Sequence, residues 1–308
     1  MRITRRGFLK KSAVTGLEGL LACSPLGGLV WAERPPDLVV ARDRDPGAAV
    51  SRAIGVFGGI ERFVSPGDRV IIKPNMAWDR KPEQAATTNP RIVASVVRLC
   101  FGARARSVSV MDNPCDDPRR VYVQSGIAKA AREAGAKTPF MDSRKFTKTR
   151  LKGEVLSQWE VYRDILEADK IINIPIAKHH SLAGLTLSMK NWMGAIGGMR
   201  SQLHWKLDES LVDLAGFFKP CLTILDCVRV LTANGPQGGR LDYVKALNTV
   251  VVGTDQVAVD AFGVRLFENI TPRQASVKRA LRTIQKAADR GIGRMDLDLL
   301  KIVRLDQV

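Results

Sequence analysis

Residues 177–198 read AKHHSLAGLTLSMKNWMGAIGG, a stretch that gathers Lys178, His179, His180, Lys190 and Asn191 before a run of glycines. His204 follows shortly after, and these three histidines are all that the 308-residue chain contains. A lysine that is desolvated beside another cation loses basicity and becomes a base or a nucleophile. Histidine titrates near neutrality and suits proton transfer or metal ligation. Gly194, Gly197 and Gly198 let backbone N–H groups come close to an anion. The reactive assignment makes Lys190 and Lys178 the groups that bind and activate an anionic substrate or cofactor. His180 then moves a proton, and His204 and His179 are the residues to hold a metal. The competing assignment makes Lys190-Asn191 a hydrogen-bonded clasp and His204 an ordinary surface residue.

Polar residues cluster in the same way after other apolar runs. Lys73-Pro74-Asn75 follows RVII, Asp112-Asn113-Pro114-Cys115-Asp116-Asp117 follows SVSVM, and Asn234-Gly235-Pro236-Gln237-Gly238-Gly239 lies just beyond LTILDCVRVL. Asp255 and Asp260 flank the start of a helical pattern after NTVVVG. In an open parallel sheet, ligands bind outside the carboxyl ends of the strands. Five such clusters on one edge predict a cleft in which Lys73, Asn75, Asp112, Asn191, Gly197, Gly198 and Gly235 contact substrate or cofactor.

The elements that must carry these residues alternate along the chain. Strand-like runs cover 38–41, 69–73, 107–111, 138–141, 170–176, 222–230, 249–252 and 299–305; helical patterns cover about 47–63, 90–102, 120–134, 208–218, 256–267 and 275–290. Several strands are continuously apolar, as when a sheet is covered on both faces. The fold expected is α/β, a mostly parallel, doubly wound sheet with helices on both faces. Asn89-Pro90 and Asp117-Pro118 read as helix starts, a capping side chain followed by proline in the first turn. Residues 179–206 fit neither element cleanly.

Composition narrows the function classes. The formal charge is +17 and hydrophobic residues make up 45%, which favours an anionic ligand or an anionic lipid surface. Nucleic acid is not expected as a partner, because aromatics at 6% are too few for a stacking platform. There is no G-x-G-x-x-G, Walker or G-x-S-x-G sequence, and no C-x-x-C, so no iron–sulfur motif is encoded locally. Cys100 sits in an apolar helical pattern. Cys221 and Cys227, six apart in a strand-like run, should share a face, and a disulfide among Cys100, Cys115, Cys221 and Cys227 is left open.

The N-terminus, MRITRRGFLKK followed by a short apolar run, resembles a twin-arginine export signal. Residues 1–32 are read as that signal and 33–308 as a single domain. The twin-arginine translocase is then a partner. Val30-Trp31-Ala32 has the small-residue pattern of a soluble, periplasmic cleavage product, whereas Leu20-Leu21-Ala22-Cys23 resembles a lipobox that would anchor the protein through Cys23.

IIKPN, INIPIAKHH, LTLSMKNWMGAIGG, NGPQGG and VVVGTDQVAVDAFG resemble, in order, the motifs of the DUF362 family, whose function is unassigned. The Lys–His segment also resembles, distantly, the nickel-pincer lactate racemase family. That resemblance implies Lys190 as a cofactor tether, His204 as a nickel ligand, His180 as a proton-transfer group and isomerase activity. Two function classes remain: an exported enzyme acting on a small anionic ligand, and a metal- or cofactor-binding accessory protein serving a redox partner, with His179, His180 or Cys115 as the capturing group.

Overall fold

The computed structural model describes residues 34–306; the twin-arginine segment, both cleavage readings and Cys23 lie outside them. In chain order the elements are β1 Leu38–Arg42, α1 Pro46–Val56, β2 Arg69–Pro74, α2 Pro90–Gly102, β3 Ser107–Val110, α3 Pro118–Gln124 and α4 Ile127–Glu133. Next come β4 Phe146–Arg150, β5 Gln158–Tyr162, α5 Arg163–Leu166, β6 Lys170–Ile174, β7 Ile176–His180, β8 Gly184–Thr186 and α6 Ser188–Asn191. The chain ends with α7 Leu207–Phe217, β9 Leu222–Leu231, β10 Val244–Gly253, α8 Gln256–Glu268, α9 Gln274–Asp289 and β11 Ile302–Asp306.

The main sheet is α/β in character and mostly parallel, with the order β11-β1-β10-β9-β6-β2-β3 and with β7 and β8 attached beside β9. Only β10, against β1 and β9, and the β7–β8 hairpin pair antiparallel in it. Strand alternation divides the apolar side chains between two faces. Val39, Ala41, Val70, Ile72, Ile224 and Val250 pack with α1, α2 and α4. Leu38, Val40, Leu225, Cys227 and Val251 pack with α7, α8 and α9. Ile71, on the second face, meets a third cluster built around Trp192, Val161, Tyr162 and Leu214. Lys73 follows Ile71 by two residues and therefore leaves β2 toward the same side.

Capping explains the helix starts. Asp45, Asn89 and Asp117 each accept a backbone N–H of the first turn and are followed by proline. The helix expected over 47–63 stops at Val56 because Gly58 and Gly59 turn to φ 91°, and the one expected over 120–134 breaks where Gly126 adopts φ 70°. The strand expected at 138–141 does not form; only Lys137 bridges Ser109 there. The β4–β5 hairpin, a separate two-stranded sheet, was not expected. Cys227 is buried on the second face whereas Cys221, just before β9, packs on the first, so the two do not share a face. The four cysteines of the described residues are free. No helix among the described residues is long and apolar enough to cross a membrane.

Candidate functional site

Four chain segments deliver the chemistry to one place, the fourth being α6 and the turn after it. The first is the carboxyl end of β2, where Lys73 and Asn75 emerge. The second is the loop after β3. The third is β7, which prolongs β6 past Pro175 and runs parallel to the far half of β9. Lys178, His179 and His180 lie within β7 and pair with Thr186, Leu185 and Gly184 of β8, rather than in a loop beyond a strand. Alternation then sends Lys178 and His180 to one side and His179 to the other.

Lys190 and Asn191 belong to α6, a single turn without a local cap. Asp260 of α8 supplies the cap from a distance, its carboxylate accepting the N–H groups of Ser188 (2.6 Å) and Met189 (3.0 Å). Trp192 anchors the end of the turn. It is fully buried, stacks on Phe218 at 4.6 Å between centroids and donates its indole N–H to Gln256 Oε1 at 2.7 Å. The chain then folds back over the β3 loop. Gly194 O accepts from Asn113 N, and the Arg200 guanidinium donates to the carbonyls of Asn113, Met193 and Pro114.

These segments enclose a cavity of about 570 Å³. Lys73, Asn75, Asp112, Lys178, His180, Lys190, Asn191, Gly198 and His204 all line it. A buried polar network forms its floor. Lys73 Nζ pairs with Asp112 Oδ1 at 2.7 Å and donates to Asn191 Oδ1 at 3.1 Å. Asn75 Nδ2 donates to the same Asn191 oxygen, and Lys178 Nζ donates to Asn75 Oδ1 at 3.1 Å and to Ala86 O. Asn191 Nδ2 reaches Asn173 Oδ1 at 2.8 Å. Among the described residues Lys178 has no carboxylate partner within ion-pair distance. The Lys190 ammonium donates to the Met193 thioether at 2.9 Å and has no carboxylate within ion-pair distance among the described residues.

Burial, with repulsion from Lys190 and Lys73, pulls the Lys178 pKa down to about 7, against the opposing influence of Cys115 and Asp112. Burial likewise lowers Lys190 to about 8, with Arg200 and Lys73 adding to the effect. His180 Nδ1 accepts the backbone N–H groups of both Leu182 and Ala183, each at 3.1 Å. This fixes the neutral Nε2–H tautomer. Burial, then Lys190 and Lys178, hold its pKa down at about 2.

Three of the residues singled out from sequence stand elsewhere. His179 is outside the cavity lining, its Nδ1 accepting from Gly235 N at 3.0 Å and its Nε2 lying 3.1 Å from Ser276 Oγ. Gly235 backs His179, where a Cβ would overlap the His179 carbonyl oxygen. Gly197 packs on the β4–β5 hairpin, its carbonyl accepting from Trp159 Nε1 at 3.0 Å. Of the five polar strand ends, the fourth contributes only Pro236 to the lining. The fifth contributes nothing. β10 runs antiparallel to β9 with Gly253 beside Thr223, so the turn carrying Asp255 opens at the other edge, where Asp255 caps α8. Among the described residues no three His, Cys, Asp or Glu side chains converge to hold a metal. With both His179 ring nitrogens and His180 Nδ1 engaged by the protein, the histidines do not fit a shared metal site, and no chemistry is routed through one.

Sequence reading missed Arg200, Trp78, Met193 and Met199 in the cavity lining and Asn173 beneath it. Arg200 carried one legible signal, a cation two residues after a double glycine.

Against known proteins, the chain is 27% identical over 207 residues to a thylakoid-associated protein of Synechocystis, covering 62% of this chain and 61% of that one. Its fold is similar to the lactate racemase apoprotein from Thermoanaerobacterium thermosaccharolyticum, with a TM-score of 0.44 and 12% identity over 75% of this chain and 57% of the other. It is also similar to a crystal structure of a Thermotoga maritima protein, with a TM-score of 0.37 and 9% identity over 80% and 59%. The chain thus spans about three fifths of each of these relatives. Residues 70–265, which include every cavity-lining residue, match the family described as "Domain of unknown function (DUF362)", and the chain belongs to that family.

Proposed function

We propose that this protein is an enzyme that binds a small organic anion, a carboxylate or a phosphate, in the cavity and moves a proton to or from it. The observation that carries this reading is the charge count of the lining: Lys73, Lys178, Lys190 and Arg200 face one carboxylate, Asp112, which Lys73 already neutralises. Cations brought together without counter-charges repel one another, and an anion bound among them relieves that repulsion. Lys190 and Arg200 suit the anionic group. Lys178, held by Asn75 and Ala86, is the candidate base, since an amine that loses its proton near neutrality can accept one from a ligand. His180, which lines the cavity as a neutral ring with Nδ1 engaged and Nε2 carrying the proton, suits a developing negative oxygen better than a proton-accepting role.

Calorimetric titration of the full chain with acetate, 2-hydroxy and 2-oxo carboxylates and inorganic phosphate tests the binding half. Lys190→Ala is expected to weaken binding at least about tenfold with little change in thermal midpoint, consistent with a charge-assisted contact at a cavity wall. If wild type binds none of these anions, the reading falls. Proton movement is read by NMR in D2O as deuterium entering the carbon next to the carboxylate, which Lys178→Gln should stop.

Export through the twin-arginine translocase belongs to the same proposal, and the name of the Synechocystis relative agrees with action beside a membrane. Replacing Arg5 and Arg6 by lysine should retain the protein in the cytoplasm on fractionation. Unchanged export would end this part of the proposal.

A further inference from the structure

Polarity in the cavity runs opposite to that of a solvated surface. Its floor is charged and polar: Lys73 is 0% and Lys178 1% exposed, and Asn75, Asp112, His180 and Asn191 are buried with them, while Lys190 and Arg200 stand half-buried above. Its mouth carries large apolar side chains, Met199 67% and Leu182 52% exposed, beside the small exposed side chains of Ser181, Ser201 and Cys115; Ala77, Trp78 and Pro236 are partly exposed, and Met193 is buried below them. Large apolar groups held in water at the mouth of a concave site mark a contact surface. The two methionines add an adaptable, polarizable wall. From this gradient we infer that the ligand is amphiphilic, an anionic head joined to an apolar body, either an aliphatic chain of several carbons or an aromatic ring. The head reaches the lysines, and the body lies against Met193, Met199, Leu182 and Trp78. A volume of about 570 Å³ holds a small molecule of this kind with room beyond the head.

The alternative is a purely hydrophilic anion, for which the apolar rim would do nothing. A hydrophilic ligand of two or three carbons fills the floor and leaves Met199 and Leu182 in water, so their placement would bring no affinity. An amphiphile covers them, and each buried methylene improves the dissociation constant by roughly two- to fourfold.

This inference rests on the anion-binding reading, and one series of ligands separates the two. The full chain is titrated with acetate, butanoate, hexanoate, octanoate and phenylacetate, with 1-octanol as the uncharged control. Expected are a dissociation constant that falls stepwise from acetate to octanoate, tight phenylacetate binding, and at least about tenfold weaker binding of octanol than of octanoate. In the double variant Leu182→Ser/Met199→Ser the octanoate-to-acetate affinity ratio should shrink by about tenfold or more. Both positions are exposed, so the variant should fold, which circular dichroism checks. Equal affinity for acetate and octanoate would overturn the amphiphile while leaving the anion site standing. Octanol binding as tightly as octanoate would overturn it too, as would an unchanged ratio in the rim variant. Failure of every carboxylate to bind would overturn the amphiphile, and failure of inorganic phosphate as well would remove the anion-binding reading with it.

Discussion

Lys73 Nζ lies 2.7 Å from Asp112 Oδ1, and both side chains are almost wholly removed from solvent. Burial pulls the Lys73 pKa down, while Asp112 opposes it by charge and hydrogen bonding. The other Asp112 oxygen accepts Met76 N at 2.6 Å, so the pair also fixes the turn after β2. A buried pair contributes little net stability against an apolar replacement, yet losing one partner strands the other. Asp112→Ala should therefore cost about 3–5 kcal/mol in chemical denaturation. Lys73→Met/Asp112→Leu should recover much of that loss. A loss in the double variant equal to the sum of the two single-variant losses would show that the pair is not coupled.

The same pair dictates a glycine. A Cβ on Gly194 would overlap Asp112 Oδ1 and stand 2.7 Å from Lys73 Nζ. Gly194→Ala should lower stability by about 1–3 kcal/mol, the usual range for overpacking, and should disturb anion binding. Gly55 in α1 has nothing within 4 Å of its would-be Cβ. Gly55→Ala should instead stabilise by roughly 0.5–1 kcal/mol, as expected in a helix. The two substitutions shift the denaturation midpoint in opposite directions; an unchanged or raised midpoint in Gly194→Ala would refute the account of Gly194.

The layered sheet was legible because continuous apolar runs and proline-led caps are local signals. RVIIKP and KIINIPI became β2 and β6–β7, and α2 begins and ends at the residues read from its pattern. The site was legible as far as it rode on those strands. The rest depended on long-range partners. α6 is capped by Asp260, 72 residues away. The direction of β10, set by pairing with β9, removed Asp255 from the edge where its cluster seemed to belong. His179 looks equivalent to its neighbours in sequence because the apolar run ends at 176, ahead of the strand through residues 178–180, and only strand alternation separates their faces.

The His180 tautomer can be observed directly. With Nδ1 accepting two backbone N–H groups, ¹⁵N NMR should show Nε2 protonated and Nδ1 unprotonated, unchanged between pH 8 and pH 5. An unfolded histidine takes up a proton at about 6.5, whereas folded His180 resists down to about 2. Its contribution to stability is thus fully present above pH 6.5 and is lost as pH falls below that value. His180→Asn should flatten this acid-side loss in denaturation midpoints measured from pH 7 to pH 4. A ring that titrates near 6.5 in the folded protein would exclude the neutral-donor role.

Lys178 and Lys190 give the proposed activity its pH dependence. Facing them are Lys73 and Asp112, which neutralise each other, together with Cys115, Arg200, His180 and His204. His180 stays neutral to about 2. His204, lowered from the ordinary histidine value chiefly by burial, protonates only at acid pH. Near neutrality the two lysines change charge. Lysines at about 7 and about 8 are cationic below those values and neutral above them. Anion affinity should then fall as pH rises through 7 to 9 and level off between pH 7 and 6. Proton removal requires the opposite state of Lys178, neutral, with Lys190 still charged. Turnover should accordingly be bell-shaped, rising through about pH 7 and falling beyond about pH 8, with both limbs belonging to the coupled pair rather than to either residue alone. Bound anion raises both values, so kcat should peak at higher pH than kcat/KM. Lys190→Gln should weaken binding and remove the alkaline limb, and Lys178→Gln should abolish turnover while anion binding persists. Affinity that stays flat from pH 6 to pH 9 would mean that neither amine titrates in this range, and the assignment of base and anion anchor would have to be abandoned.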